Sequence, residues 1–270
     1  MTRRMVGSAQ PVRFKPGLEI EFANNPMGFR YGSGVFGPKP EYRSLDAIRP
    51  SLRDPDCQGP DPVYAIAMDV GRQDDLDELK RRMLLFGIVM YAGGRLGDEP
   101  VRSQGHKHAI SPHSGWSAPE LFEIWQGKAI VYAQENAGDD PGRCFVIEAS
   151  PGDKVVMPPG WSHYVVNASS AAPLIFGAWC DRQYGFDYGE MRAHRGLAWF
   201  PRIAANDEIG WEKNPSYSAS TLISRRARAY PEMGLSFEIP IYENLRRSPE
   251  SIQWVSEPAR LDRLWPSFEP

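Results

Sequence analysis

The sequence has few cysteines, no long apolar segment and little net charge, and each shortage excludes a class of protein. Its three cysteines are scattered, which excludes a disulfide framework and a zinc site built from paired cysteines. No segment approaches the roughly 20 consecutive apolar residues that cross a bilayer. A net charge of −3 gives no general attraction to nucleic acid or to anionic membranes. We therefore expect neither a nucleic acid nor a membrane as a partner.

The N-terminal residues also lack the apolar core of a secretory signal peptide. Because no disulfide framework points to an oxidising compartment, we expect a cytoplasmic location. The length of 270 residues allows one large domain with extensions.

Short apolar segments separated by turns follow one another through the middle of the chain. Residues 83–91, 129–133 and 174–179 are rich in aliphatic and aromatic side chains, and turn-forming residues such as those at 139–142 lie between such segments. Segments this short and evenly spaced predict an antiparallel all-β barrel or sandwich rather than alternating strands and helices. We find no internal repeat, which predicts a single β unit.

Histidine is also scarce, and its distribution is the most informative feature of the chain. Of five histidines, three stand at spacings suited to a mononuclear metal site: His106, His108 and His163. Side chains two residues apart on a strand point to the same face, so His106 and His108 can converge. With the carboxylate of Glu120 they form a ligand set that suits Fe, Mn, Ni or Zn and leaves positions for substrate or water.

The residues around these ligands form two motifs. The first is Gly-His-Lys-His at residues 105–108, continued by Glu120 and Gly127; the second is Gly152, then Pro-Pro-Gly-Trp-Ser-His at 158–163, then Asn167. They resemble the two sequence signatures of cupins, which are small jelly-roll barrels with a central metal. The resemblance implies a single cupin barrel with one divalent metal.

Other side chains near the first motif could also serve as ligands. Glu120 is preferred because Gly127 follows it at the interval that the first signature expects. Glu123 is an odd number of residues away and should face the opposite side of the same strand. His113 lies in a turn-rich loop, where it is a spare ligand, a proton shuttle or, as we expect, a surface side chain.

The chain divides into three parts by composition. Residues 1–15 are expected to form a flexible arm, residues 16–217 the barrel, and residues 218–270 an irregular extension that packs on the barrel or on a dimer partner. The segment at 83–91 is apolar on both faces, so more than the barrel interior needs covering. We therefore expect a homodimer.

The similarity to one family extends beyond the general cupin signatures. The chain resembles the cupin-type phosphoglucose isomerases from about residue 16 to about residue 217. The segments that carry the resemblance are Gly-Arg-Leu-Gly-Asp-Glu at 94–99, Ser-Gln-Gly-His-Lys-His at 103–108, Glu-Leu-Phe at 120–122, the second cupin motif, and Asp-Tyr-Gly at 187–189.

The resemblance implies interconversion of glucose 6-phosphate and fructose 6-phosphate through a cis-enediol, a reaction of glycolysis and gluconeogenesis. It implies Glu120 as catalytic base and metal ligand, Tyr188 as a second catalytic residue, and Ser103 and Gly105 as phosphate-binding residues. The metal, iron above the alternatives Mn, Ni and Zn, would be held by His106, His108, Glu120 and His163.

Four positions depart from the family pattern. Val89, Phe122, Cys180 and Phe186 stand where the family has hydroxyl or imidazole groups, which predicts an altered phosphate-binding half. Two other functions therefore stay open. One is a metal-dependent cupin enzyme of different specificity, either another sugar isomerase or an Fe(II) oxygenase. The other is a non-enzymatic sugar-binding cupin.

Overall fold

A computed structural model describes residues 14–204 and 208–270, which form twenty β-strands and four short α-helices. The strands are β1 (Ile20–Asn24), β2 (Met27–Tyr31), β3 (Val35–Phe36), β4 (Glu41–Arg43), β5 (Tyr64–Met68), β6 (Gly71–Arg72), β7 (Leu84–Tyr91), β8 (Arg95–Leu96), β9 (Glu99–Pro100), β10 (Lys107–His108), β11 (Glu120–Gln126), β12 (Ala129–Gln134), β13 (Cys144–Ala149), β14 (Lys154–Met157), β15 (Ser162–Asn167), β16 (Leu174–Asp181), β17 (Phe186–Asp187), β18 (Trp199–Ile203), β19 (Ile209–Lys213) and β20 (Leu222–Arg226). The helices are α1 (Leu45–Ile48), α2 (Leu76–Arg81), α3 (Gly189–Ala193) and α4 (Asn244–Arg247). Of the arm expected at residues 1–15, residues 1–13 lie outside the described residues.

Two sheets contain most of the long strands. One has six strands in the order β14-β11-β16-β7-β5-β4, all antiparallel, and the other has four in the order β15-β12-β13-β20. This confirms the all-β fold predicted from the short apolar segments and the jelly roll implied by the two cupin motifs. None of the helices in the two described segments is long and apolar enough to cross a membrane.

The inner faces of the two sheets share one apolar core. Phe122 and Phe176 of the six-stranded sheet and Phe145 and Val165 of the four-stranded sheet belong to the same buried cluster. Side chains alternate between the faces of a strand, so every second residue of β11 and β16 points into this interior. The interior is where the candidate site lies.

The outer face of the six-stranded sheet is covered by the chain's own C-terminal residues. Trp179 of β16 stacks on Tyr242 with ring centroids 5.5 Å apart, and its indole N–H donates to the carbonyl of Ile241 at 2.9 Å. Phe86 of β7 and Trp254 are buried in the same cluster. This covering comes from the same chain. The apolar outer face of β7 is therefore no longer an argument for a dimer partner.

The C-terminal residues also extend the other sheet. β20 adds to β13 in parallel, from Cys144 opposite Leu222 to Glu148 opposite Arg226, which the sequence did not predict. After β20, the described helical structure consists of α4 and several short 3-10 turns.

Candidate metal centre

A backbone contact brings the two histidine motifs together. His106 and His163 form an isolated antiparallel bridge. The N–H of His106 donates to the carbonyl of His163 at 3.0 Å, and the reverse bond is 2.9 Å long. A pair of hydrogen bonds beside the ligands thus closes the loop of 56 residues that lie between these two positions.

The four expected ligands converge on one point in the barrel. Nε2 of His106 and Nε2 of His108 are 3.2 Å apart, and Oε2 of Glu120 lies 3.2 Å from Nε2 of His163 and 3.5 Å from Nε2 of His108. All four ligand atoms lie within 4.8 Å of one another. Ligands about 2.1 Å from a single ion lie up to about 4.2 Å apart, which is a comparable span.

Hydrogen bonds orient two of the imidazoles. Nδ1 of His108 lies 2.7 Å from the carbonyl oxygen of Ala118, to which its N–H donates, and Nδ1 of His163 lies 3.4 Å from that of Trp161. With the proton on Nδ1, the ring of His108 directs the lone pair of Nε2 toward the other ligands, as in metal-binding histidines generally.

Burial keeps two of the rings neutral. It lowers the pKa of His106 well below its ordinary value, with His163 and His108 adding to the effect. Burial also lowers the pKa of His108, although the charge of Glu120 opposes it. Because a metal binds the neutral imidazole, lone pairs are available at neutral pH without displacing protons from these rings.

Glu120 stands at the start of β11 with its two oxygens in different surroundings. Oε2 faces the imidazoles, whereas Oε1 accepts a hydrogen bond from the thiol of Cys180 at 3.2 Å. Burial alone would raise the pKa of Glu120, but the hydrogen bond from His163 and the charge interactions with His108 and His163 bring it below its ordinary value. Burial, reinforced by Glu120, raises the pKa of Cys180 well above its usual range, so the thiol remains a donor.

This donor set fits one divalent metal ion. Three imidazole nitrogens and one carboxylate oxygen are typical ligands of Fe, Mn, Ni or Zn. The residues that could hold the ion are His106, His108, Glu120 and His163.

The two other side chains considered as ligands lie elsewhere. Glu123 is on the opposite face of β11, fully buried, with Oε1 3.3 Å from Nζ of Lys154. His113 is exposed on the loop that follows β10.

Three of the ligands, His106, Glu120 and His163, border a pocket that is lined mostly by apolar side chains. Val89, Phe122 and Phe186 line it, so three of the four departures from the family pattern do face the pocket. The fourth, Cys180, contacts Glu120 instead.

The residues expected to bind or act on substrate line the same pocket. They are Ser103, Gly105 and Tyr188. Gly105 has φ +90, and a Cβ there would lie 3.0 Å from Sδ of Met191, so a side chain would be strained at this point of the wall. The ring of Tyr188 is 6.3 Å from that of His106.

Sequence reasoning missed several polar residues of the pocket. They are Arg43, Tyr64, Tyr91 and Gln104. Tyr91 lies in the apolar segment at 83–91, and inward alternation along that segment could have found it. No spacing rule connects Arg43, on the edge strand β4, with the histidine motifs.

Comparison with known families agrees with this geometry. A family model described as glucose-6-phosphate isomerase matches residues 47–219. The chain belongs to this family. The match covers the cupin-type motifs, from the approach to His106 through His163 to Tyr188, and β1 to β4 lie before it.

Solved structures similar to this chain include a vicilin, an oxalate decarboxylase and an oxalate oxidase. Vicilin from hazelnut (Corylus avellana) shares 11% identity over 48% of this chain and 33% of its own, with a TM-score of 0.35. An oxalate decarboxylase variant from B. subtilis shares 16% identity over 49% of this chain and 27% of its own, with a TM-score of 0.31. An oxalate oxidase shares 17% identity over 46% of this chain and 54% of its own, with a TM-score of 0.33. The chain thus spans less than two thirds of each of these proteins. No curated protein matches the chain significantly.

Proposed function

We infer that this chain is a metal-dependent isomerase that interconverts glucose 6-phosphate and fructose 6-phosphate. The observation that carries this function is the convergence of His106, His108, Glu120 and His163 at one point beside a pocket, in a chain of the glucose-6-phosphate isomerase family. Isomerisation moves one hydrogen between C1 and C2 of the open sugar. It consumes no external oxidant or reductant.

Glu120 is the base that the pocket offers for this proton transfer. It takes the proton from C2 of the aldose and returns it to C1, so that a cis-enediol forms and collapses to the ketose. The thiol of Cys180, 3.2 Å from Oε1, holds one carboxylate oxygen in place while the other faces the histidines. Proton transfer by a positioned carboxylate contributes on the order of 10²- to 10⁴-fold to the rate.

A divalent metal, which we propose to be iron before Mn, Ni or Zn, supplies Lewis acidity toward the sugar oxygens when bound. Tyr188 is the neighbouring donor. Burial raises the pKa of its phenol, so the hydroxyl stays protonated and can donate to a sugar oxygen. Ser103 and Gly105 are proposed to contact the substrate from the same wall.

A second candidate is an isomerase for a different sugar. The observation in its favour is the apolar lining formed by Val89, Phe122 and Phe186, which provides no donors for a phosphate group.

The test loads the protein with Fe, Mn, Ni or Zn in turn and incubates each form with glucose 6-phosphate and with unphosphorylated aldohexoses. Fructose 6-phosphate should appear with at least one metal. Turnover of only an unphosphorylated sugar would favour the second candidate. No ketose from any substrate, with the site fully loaded, would overturn both.

A further inference from the structure

Arg43 is the one arginine or lysine among the pocket-lining residues in the described part of the chain. It lies on β4, at the edge of the six-stranded sheet, whereas Glu120 lies on β11 with β16, β7 and β5 between them. It also precedes residues 47–219, so the family match does not reach it. Its position requires an explanation of its own.

The ion pair made by Arg43 is weak and replaceable. Its Nη1 lies 3.0 Å from Oε2 of Glu41, two residues earlier on the same strand. The side chain of Arg43 is 28% exposed, but that of Glu41 is 71% exposed. Pairs with so exposed a carboxylate contribute little to stability, so a ligand oxyanion can displace Glu41 at small cost.

Two tyrosine hydroxyls accompany Arg43 in the pocket. Tyr64 and Tyr188 line the pocket together with Arg43. Burial raises the pKa of both phenols, so both stay protonated and can donate. A guanidinium with five donors beside two hydroxyl donors is suited to a ligand group that only accepts hydrogen bonds and carries negative charge.

Away from Arg43 and the metal ligands, no lining residue in the described part of the chain carries a positive charge. Val89, Phe122, Phe176 and Phe186 line the pocket with apolar surface. Burying a charged group against such surface is costly unless the group is paired. The charged end of a bound ligand should therefore lie at Arg43.

We propose that Arg43 is the specificity-determining residue of the pocket and binds a terminal oxyanion of the substrate, a phosphate or a carboxylate, assisted by Tyr64 and Tyr188. This assignment rests on the proposed function only in taking the ligand to be a sugar derivative. It replaces, with a charged group, the hydroxyl donors that the family pattern has and this chain lacks.

The experiment uses calorimetry to measure binding of three matched open-chain sugar derivatives to the metal-loaded protein. They are sorbitol 6-phosphate, L-gulonate, which has a carboxylate at the corresponding carbon, and neutral sorbitol. None has a carbonyl that can be isomerised, so the result is independent of turnover. At least one anionic probe should bind about 10-fold or more tightly than sorbitol, and the tighter one identifies phosphate or carboxylate as the group recognised.

Substitution of Arg43 should then act on the charged probe alone. Arg43→Met should weaken its binding by about 10- to 100-fold and leave sorbitol within about twofold, because a charge-assisted bidentate contact is lost. The affinity of Arg43→Lys for the charged probe should lie between those of the unaltered protein and Arg43→Met, since lysine retains the charge but cannot make the bidentate contact.

Glu41→Gln is the matched control. If Arg43 serves the ligand, removing its competing partner should preserve or increase affinity for the charged probe. The proposal is overturned if neither anionic probe binds better than sorbitol, if Arg43→Met weakens sorbitol equally, or if Glu41→Gln reproduces the loss.

Discussion

At the scale of single residues, His163 connects the parts of the metal centre. Its backbone exchanges two hydrogen bonds with His106, and its Nε2 lies 3.2 Å from Oε2 of Glu120. The backbone bonds do not depend on the imidazole, so the side chain can be removed without cutting the bridge. The apolar core that holds the two sheets together contacts this ring through Phe122 but is built mainly from other side chains.

We therefore predict that His163→Ala loses bound metal while the barrel stays folded. Elemental analysis should find at least about a 10-fold lower occupancy at limiting metal, since even removal of an outer contact to a ligand commonly costs about 10- to 100-fold in affinity. Circular dichroism should be unchanged. The control is His113→Ala, whose exposed ring should not affect the metal. Full occupancy in His163→Ala would contradict the ligand assignment.

Local spacing predicted His106, His108, Glu120 and His163, because each pair within a motif is fixed by strand alternation or by a turn. Residues whose role depends on pairing between distant strands were out of reach. Cys180 contacts Glu120 because β16 pairs with β11, and no local sequence pattern predicts the register of that pairing. Arg43 enters the pocket through the pairing of β4 with β5, which is equally invisible in the sequence.

At the scale of elements, β11 serves two different environments. Glu120 points into the pocket, and Glu123 points to the outer face, where it is buried under the C-terminal residues. Its carboxylate accepts hydrogen bonds from the backbone N–H of Ile241 at 3.0 Å and from the indole of Trp125 at 3.1 Å, beside Lys154. The ammonium of Lys154 donates to the carbonyl of Phe237 at 3.2 Å. This cluster fastens the C-terminal residues to the sheet.

The titration of Glu123 should affect stability in a defined direction. Burial raises its pKa to about 7, partly offset by Lys154 and by the two hydrogen-bond donors. An unfolded glutamate has a pKa near 4.3, so the folded state binds the proton more tightly. The stabilising contribution is complete below about pH 4.3 and is lost as the pH rises to about 7.

We predict that the free energy of unfolding of the unaltered protein falls when the pH is raised from 5 to 7. In Glu123→Gln the fall should be smaller, by on the order of 2 kcal/mol. Urea unfolding at the two pH values measures this difference. Glu148→Gln, at an exposed position of β13, is the control and should behave like the unaltered protein. An opposite slope would mean that Glu123 is held ionised by Lys154.

The strands of the barrel were predictable from apolar segments. The part of the molecule that covers their outer face was not. Residues 83–91 were expected to need cover on the outer face, but the sequence did not indicate whether a partner or the same chain provides it. Aromatic residues of the C-terminal extension, such as Trp254, lack the periodicity of a strand or a long helix, so their destination depends on the tertiary fold.

At the scale of the whole molecule, both sheets have outer faces covered by their own chain. On the four-stranded sheet, Tyr132 stacks on Tyr164 at 4.8 Å and on Trp211 at 5.8 Å, and Met191 joins the same cluster. A homodimer would thus have to form through surfaces other than the outer faces of the two sheets.

The homodimer stays a prediction, and the molecular mass of the protein in solution tests it. Size exclusion with light scattering at micromolar concentration should give about twice the chain mass of 30.4 kDa. A single species at the chain mass would show that the internal covering suffices.

The measurement that tests the proposed isomerisation most directly is hydrogen exchange at the sugar. Metal-loaded protein is incubated with glucose 6-phosphate in deuterium oxide, and deuterium at C2 is followed by NMR, with metal content determined in parallel. We predict exchange with the unaltered protein and its loss in Glu120→Gln with metal restored to the same level. Absence of exchange in the fully loaded unaltered protein, or equal exchange in Glu120→Gln, would contradict the enediol route and the role of Glu120.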